Sequence, residues 1–167
     1  MQIFEFSPLF TVILCIILWL IFQVSIAVLC MKINDKHFSS TSFLYRTRRW
    51  EKNGEIYEKI FKIRRWKKLL PDGGAIMKGG YKKRHIDITS TDNLEKFVIE
   101  SCRGELAHLL SILPFWIFGF FAPARIILYM LIYAVFINFP CIIAQRYNRP
   151  RVIKLLEKAR RRSETLK

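Results

Sequence analysis

A glutamate and a histidine stand three positions apart in the stretch "RGELAHLL" (103–110), where an uncharged run begins. Residues three apart on a helix are neighbours on its surface, so Glu105 and His108 would present a carboxylate beside an imidazole. A carboxylate that holds one ring nitrogen leaves the other nitrogen to accept a hydroxyl proton, and it stabilises the resulting imidazolium. The spacing indicates a general base, His108, oriented by Glu105. The alternative is that both residues mark the water-exposed start of a membrane helix.

Apolar and charged residues are separated along the chain. The 167 residues are 52% hydrophobic, yet the net charge is +15. A membrane protein combines these features easily, because its apolar residues form the spans and its basic residues face one side of the bilayer. Three uncharged runs predict transmembrane helices over about 8–31, 106–121 and 126–144. The expected fold is an all-α integral membrane protein with a single membrane domain, which leaves a homo-oligomer open.

The distribution of Lys and Arg predicts the orientation. These residues are absent before the first run, dense in the insertion 32–103, reduced to Arg125 at the tip of the hairpin, and dense again from Arg146 onward. The positive-inside rule then places the N-terminus outside, with the insertion and the C-terminus in the cytoplasm. Orientation and attraction to anionic lipid are sufficient causes of the charge, so nucleic acid is not an expected partner.

Polar residues at one depth support a site within the hairpin. His108 lies thirteen residues before Phe121, and Asn138 lies thirteen residues after Arg125, so the two arms carry polar groups at the same level. At about 1.5 Å per residue this level is roughly 20 Å from the tip, near the cytoplasmic edge of the hydrocarbon. Three further polar residues reach a similar depth: Gln23, Gln145 and Arg146. Polar groups placed in a bilayer usually face a bundle interior or a polar site.

A metal or cofactor site is not expected. The four cysteines form no C-x-x-C pair and lie in or beside apolar runs, which indicates buried thiols. Glu105 and His108 supply only two of the three or four ligands that a zinc site requires.

The stretch "EIYEKIFKIRRWKKLL" (55–70) places apolar residues at helical spacing, with basic residues on the other faces. The apolar positions are Ile56, Ile60, Ile63, Trp66 and Leu70. This pattern is typical of an amphipathic helix in the membrane interface, although a helix packed on its own domain would show the same period.

The remaining elements follow from local signals. The stretch "PDGGAIMKGGYKK" predicts turns, and "HIDIT" (85–89) a short strand. Asp92 and Glu95 suit the N-cap and capping-box positions of a helix that runs into the second span without a break before Pro114. The motif "RYNRPR" is expected to end the third span, with Pro150 starting a basic surface helix over about 150–162.

Three motifs occur in the order "RRWKKLLPDG", "RGELAHLLSILP" and "QRYNRPR", after a first span that ends in "DKHF". With these motifs the chain resembles the glycosyl-4,4'-diaponeurosporenoate acyltransferases, membrane proteins of staphyloxanthin-type carotenoid synthesis. The resemblance implies transfer of a fatty acyl group onto a sugar hydroxyl of a glycosylated carotenoid, or a related glycolipid, at the inner face of a bacterial cell membrane. It implies an activated acyl donor, a glycosylated lipid acceptor and membrane lipids as partners.

Under this interpretation His108 is the base for the acceptor hydroxyl, Glu105 orients it, and Asn138 stabilises the oxyanion. Three arginines would hold the anionic part of the donor, or retain the cytoplasmic ends on anionic lipid: Arg146, Arg149 and Arg151. Gln145, Trp66 and Gln23 are further candidates for substrate binding. Two alternatives remain: a non-catalytic assembly or scaffold protein that binds anionic lipid or a partner enzyme, and a lipid hydrolase or transferase of another specificity.

Overall fold

The structure is a computed structural model that describes residues 3–70 and 90–165. These residues form helices joined by turns, without a strand among them. The α-helices are α1 (Pro8–Lys32), α2 (Glu55–Phe61), α3 (Ile63–Trp66), α4 (Thr91–Leu110) and α5 (Ala124–Thr165). Segments of 3₁₀ helix occur at Asp35–His37, Arg49–Gly54, Lys67–Leu69 and Leu113–Phe120. The all-α prediction is confirmed for this part of the chain, whereas the predicted turns at 71–83 and strand at 85–89 lie outside the described residues.

The chain divides into two compact units. The first comprises Met1–Ile33 and Leu106–Pro140, and the second comprises Asn34–Glu105 and Cys141–Lys167. Helix α1 lies in the first unit, α2 and α3 lie in the second, and α4 and α5 contribute residues to both.

The first unit is apolar inside and outside. Helix α1 begins at Pro8, where a missing backbone N–H costs nothing, and the hydroxyl of Ser7 accepts from the N–H of Phe10 at 3.4 Å. The core of this unit is formed by Cys15, Trp19, Phe118, Phe121, Ala122 and Ala134. The opposite side of α1 exposes large apolar residues such as Leu9, Leu20 and Val24. Among the described residues, α1 and α5 are the helices long and apolar enough to cross a membrane, which supports membrane association.

The second predicted span, 106–121, is not a continuous helix. Helix α4 ends at Leu110, a turn follows, and Leu113–Phe120 continues as 3₁₀ helix. The cause is Pro114, which lacks an N–H and whose ring clashes with the carbonyl four residues earlier. Eight residues of 3₁₀ helix rise about 16 Å, roughly half of the hydrocarbon thickness. The three-span arrangement therefore stays a prediction.

The third predicted span, 126–144, lies within α5, but the predicted break at "RYNRPR" is wrong. Helix α5 passes through Pro150 and ends at Thr165. Tertiary contacts on both sides of Pro150 offset the backbone bond that it removes. Arg149 is fully buried, and Val152 and Leu156 pack in a core cluster with Leu94 on α4.

The predicted amphipathic helix at 55–70 is interrupted. Lys62 has a left-handed conformation, with φ 49° and ψ 45°, and separates α2 from α3. The Glu58 carboxylate accepts from the N–H of Arg64 at 3.0 Å, and so provides an acceptor for one backbone donor in the first turn of α3. Ile63 is fully buried in a cluster with Tyr57, Ile143, Ala144 and Tyr147, and Ile56, Trp66 and Leu70 pack against that cluster. Most of the predicted apolar face therefore contacts protein, whereas Ile60 is exposed.

Helix α4 begins two residues earlier than predicted. Its first residue is Thr91, and the hydroxyl of Ser90 accepts from the N–H of Asn93 at 3.4 Å. Ser90 is thus the capping residue, and Asp92 lies in the first turn, where a negative charge suits the helix dipole.

Candidate active site

His108 and Asn138 form a hydrogen-bonded pair in the first unit. Nδ1 of His108 lies 2.9 Å from Oδ1 of Asn138. His108 stands on the last turn of α4 and is half-buried, whereas Asn138 stands on α5 and is fully buried. The structure brings together the two residues that the sequence placed at one level.

The amide of Asn138 fixes the tautomer of this histidine. Its Nδ2 donates to the carbonyl oxygen of Ala134 at 2.9 Å, so Oδ1 is the atom that faces the ring. An amide oxygen only accepts, and Nδ1 of His108 therefore carries a proton. In the neutral ring the basic lone pair lies on Nε2. This is the state that a general base requires, with an amide in the orienting position instead of the predicted carboxylate.

Glu105 is fully buried in the second unit and binds two arginines. Its Oε1 accepts from Nε of Arg146 at 2.7 Å, and its Oε2 accepts from Nη2 of Arg149. Both contacts are charge-assisted, and a buried carboxylate needs such partners because it has lost its hydration. The bond predicted to orient His108 is made by Asn138, while Glu105 neutralises guanidinium groups.

Arg149 donates to protein acceptors on every side. Its Nε donates to the Ser101 hydroxyl at 3.1 Å, and its Nη1 donates to the carbonyl oxygen of Tyr45 at 2.8 Å. Its Nη2 donates to the Ser101 carbonyl at 3.1 Å and to Glu105. Because the side chain is only 1% exposed, it holds α4, α5 and the 45–48 segment together within this unit.

Arg146 extends the network to Glu51. Its Nη1 donates to Oε1 of Glu51 at 2.8 Å, and its Nη2 donates to the carbonyl oxygen of Leu44 at 2.7 Å. The Tyr57 hydroxyl also donates to Oε1 of Glu51. Two carboxylates and two guanidinium groups therefore balance each other in this cluster, which we call the charged network: Glu51, Glu105, Arg146 and Arg149.

The charged network shifts two pKa values in opposite directions. Burial alone would raise the pKa of Glu51, but hydrogen bonds from Tyr57, the Arg48 N–H and Arg146 outweigh it and hold that pKa below its ordinary value. Burial and the bond to Glu51 raise the pKa of Tyr57. The carboxylate and the neutral phenol are thus the favoured forms.

The other predicted binding residues in this unit make structural contacts. The Arg151 guanidinium stacks on the ring of Tyr147, 3.6 Å from its centroid. The backbone carbonyl oxygen of Gln145 accepts from the Ser101 hydroxyl at 3.5 Å. Nε1 of Trp66 donates to the carbonyl oxygen of Phe61 at 2.7 Å, which fastens α3 to the end of α2.

Gln23, the predicted binding residue of α1, lies in the first unit. Its Nε2 is buried and has no hydrogen-bond partner among residues 3–70 and 90–165.

A shallow polar depression lies beside the charged network. Its lining consists of Tyr45, Thr47, Glu51, Arg146, Arg149 and Pro150. Within the described ranges, His, Cys, Asp and Glu side chains form no cluster of three that could hold a metal ion.

Sequence reasoning missed Glu51, Tyr57 and Ser101. Glu51 and Tyr57 carry no motif, because they stand in a charged segment with several other acidic residues. Ser101 lies one turn before Glu105 on the same face of α4, and helical spacing could have identified it as a neighbour.

Comparison with known proteins identifies the family. The family model described as glycosyl-4,4'-diaponeurosporenoate acyltransferase matches residues 41–158. A protein of that name from Staphylococcus aureus strain N315 is 40% identical over 155 residues, which covers 92% of this chain and 93% of the relative. The proteins of the same name from strains USA300 and COL match with equal identity and coverage. No solved structure matches significantly. The chain belongs to the glycosyl-4,4'-diaponeurosporenoate acyltransferase family.

Proposed function

We propose that this protein is a membrane-bound acyltransferase that esterifies a sugar hydroxyl of a glycosylated carotenoid, or a related glycolipid, with a fatty acyl chain. The observation that carries the proposal is the hydrogen bond between His108 and Asn138. It presents an imidazole of fixed tautomer within an apolar unit that contains α1. The names of the relatives supply the substrate class.

His108 is the general base. Nε2 takes the proton of the sugar hydroxyl while the hydroxyl oxygen attacks the carbonyl carbon of the activated acyl group. The tetrahedral intermediate collapses with loss of the leaving group, which receives the proton back from the imidazolium. Asn138 keeps the ring in its reactive orientation, although a neutral amide supports the imidazolium charge less than a carboxylate would.

Both substrates are amphiphiles whose tails belong in lipid. The exposed apolar side chains of α1 suit a bilayer, and the polar pair on α4 and α5 suits the level at which a sugar meets the hydrocarbon edge. The charge pattern of the sequence favours the cytoplasmic face, with the N-terminus outside and the C-terminus in the cytoplasm. A reporter inserted at Pro123 that proves cytoplasmic would exclude this topology.

The charged network has a positioning role. Arg149 and Glu105 are fully buried and bond to several protein partners, so they hold the second unit together. Arg146 is partly exposed and lines the polar depression, which makes it the strongest of the predicted arginines for contact with the anionic part of a donor.

The direct test is acyl transfer by the purified protein in lipid vesicles. The acceptor is a glycosylated carotenoid, and the donor is a fatty acyl-coenzyme A in one arm and a diacyl phospholipid in the other. Mass spectrometry should detect the ester of the sugar in at least one arm. Vesicles without the protein provide the control.

A strain that lacks the gene separates the enzyme from a scaffold protein. Loss of an enzyme should cause the unacylated glycolipid to accumulate, and His108→Ala should fail to restore the ester. If the protein were a scaffold, His108→Ala would restore the ester as well as the wild type does, and that result would contradict the proposal.

A further inference from the structure

The side-chain amide of Gln23 has an unused donor inside the first unit. Its Nε2 is buried without a partner among the residues that the structure describes. A buried amide N–H without an acceptor lowers stability, and native proteins keep few such groups. A polar residue retained at a cost in the middle of an apolar helix suggests a function.

Gln23 lies on the face of α1 that packs inward. Cys15 and Trp19 precede it at intervals of four residues, and both are buried in the core of the first unit. Residues spaced by four share one face of a helix. The amide of Gln23 therefore continues the buried stripe towards the cytoplasmic end that the charge pattern predicts.

Ring contacts and core packing in the first unit imply that Gln23 and Asn138 stand at a similar level. The ring of Phe6 lies 6.4 Å from that of Phe121, and thirteen residues later the ring of Trp19 lies 5.4 Å from that of Tyr133. Phe6 and Phe121 precede the two helices, and Trp19 and Tyr133 lie within them, so α1 and α5 run in the same direction through this unit. Trp19 and Ala134 belong to the same core cluster, and one further turn of four residues leads from Trp19 to Gln23 on α1 and from Ala134 to Asn138 on α5.

The amide of Asn138 is already engaged at this level. Its oxygen faces His108, and its nitrogen donates to Ala134. Asn138 was predicted to stabilise the oxyanion, but orienting the base occupies it. Gln23 supplies a second amide, whose Nε2 has no acceptor within residues 3–70 and 90–165.

We infer that Gln23 is a further catalytic residue, which donates from Nε2 to the carbonyl oxygen of the acyl group as that oxygen becomes negative. This inference rests on the proposed acyl transfer. The histidine removes the hydroxyl proton while Gln23 stabilises the oxyanion, so the acyl carbonyl reacts between α1 and the pair on α4 and α5. Such a donor acts in the transition state and contributes little to binding of the substrates.

The test replaces Gln23 by methionine, which keeps the length of the side chain and lacks the donor. In the vesicle assay, with the donor that the wild type uses, we expect Gln23→Met to lower kcat by about 10²–10³-fold, while KM for the glycolipid changes little. Because the variant removes an unsatisfied buried donor, its unfolding temperature should equal or exceed that of the wild type. Ser25→Ala, on the exposed side of the same helix, serves as the control and should leave both quantities unchanged.

Three results would overturn the inference. An unchanged kcat would show that the amide takes no part in the reaction. A raised KM with unchanged kcat would assign Gln23 to ground-state binding of the sugar. A lowered unfolding temperature with lost activity would assign it a structural role. Failure of the wild type to transfer acyl groups would instead refute the proposed function, so the two failures can be distinguished.

Discussion

The two units hold polar groups inside in contrasting ways. In the second unit, two carboxylates and two guanidinium groups balance one another, and backbone carbonyls and hydroxyls accept the remaining bonds of Arg149. In the first unit the buried polar groups include a histidine–asparagine pair and an amide nitrogen that has no partner among the described residues.

This difference distinguishes polar groups with a structural role from polar groups that are available for catalysis. A charged group that is buried must be fully paired, and once paired it has little capacity left for a substrate. A neutral imidazole of fixed tautomer can still exchange a proton, and an unpaired amide can still donate. The less conspicuous polar groups are therefore the better candidates for catalysis.

The largest expected effect is on the rate of His108 variants. His108→Ala should lose most of a contribution typically worth 10²–10⁴-fold, because it removes the basic nitrogen that the pair orients. His108→Gln keeps a polar side chain and should be equally inactive. The initial rate of acyl transfer by correctly inserted protein in vesicles measures both. A wild-type rate for His108→Gln would assign the first unit a purely structural pair.

Glu105→Gln should affect stability instead. Removal of one partner from a buried ion pair costs about 3–5 kcal/mol, because Arg149 loses its carboxylate partner and Arg146 keeps only Glu51. The unfolding midpoint in detergent should fall steeply, while the rate per folded molecule is preserved. Glu164→Gln, at an exposed position, is the matched control and should change stability by less than about 0.5 kcal/mol. A lost rate at unchanged stability would show that Glu105 takes part in the chemistry, as the sequence suggested.

Arg149→Lys keeps the charge and loses the planar fork. We expect a loss of about 1–3 kcal/mol, because an ammonium group cannot reproduce the bonds to both Ser101 and the Tyr45 carbonyl. Thermal unfolding should detect it, with Arg161→Lys at an exposed position as the control. If the rate fell while the unfolding temperature held, Arg149 would bind a substrate anion, and the contrast between the units would fail.

The smallest effect concerns pH. Folding lowers the pKa of Glu51. Its contribution to the free energy of unfolding is therefore complete above the ordinary carboxyl pKa of about 4.3, and it is lost as pH falls through the pKa of the folded state. Folding raises the pKa of Tyr57. Its contribution to the free energy of unfolding is therefore complete below the ordinary tyrosine pKa of about 10, and it is lost as pH rises through the pKa of the folded state. Unfolding temperatures measured across pH should therefore decline on both sides. Glu51→Gln should reduce the decrease of the unfolding temperature at acid pH. An unaltered decrease would show that Glu51 does not contribute through the charged network.

The sequence predicted helical segments well where one signal dominated. The first uncharged run predicted a helix over about 8–31, and α1 extends from Pro8 to Lys32. Prolines proved harder. Pro114 interrupts the predicted second span, whereas Pro150, which was predicted to begin a new helix, lies inside α5. The difference comes from long-range contacts of Arg149 and Val152, which a local rule cannot weigh.

The candidate site was predicted only in part, because local sequence patterns do not reveal long-range contacts. Depth placed His108 and Asn138 at one level, and these residues do form a pair. Spacing suggested Glu105 as the orienting group because it is the nearest acid in sequence. The partners of Glu105 come from α5, and no helical period reveals which of several arginines will reach it.

The apolar side chains that α1 turns outward govern how the protein meets its substrates. Under the proposed function, residues such as Leu9, Leu20 and Leu29 hold the protein in the bilayer in which the glycolipid acceptor is dissolved. Encounter then occurs by lateral diffusion in two dimensions, and the relevant concentration is the mole fraction of acceptor in the bilayer. Added inert phospholipid would slow the reaction by surface dilution even when the amount of acceptor in the tube stays constant.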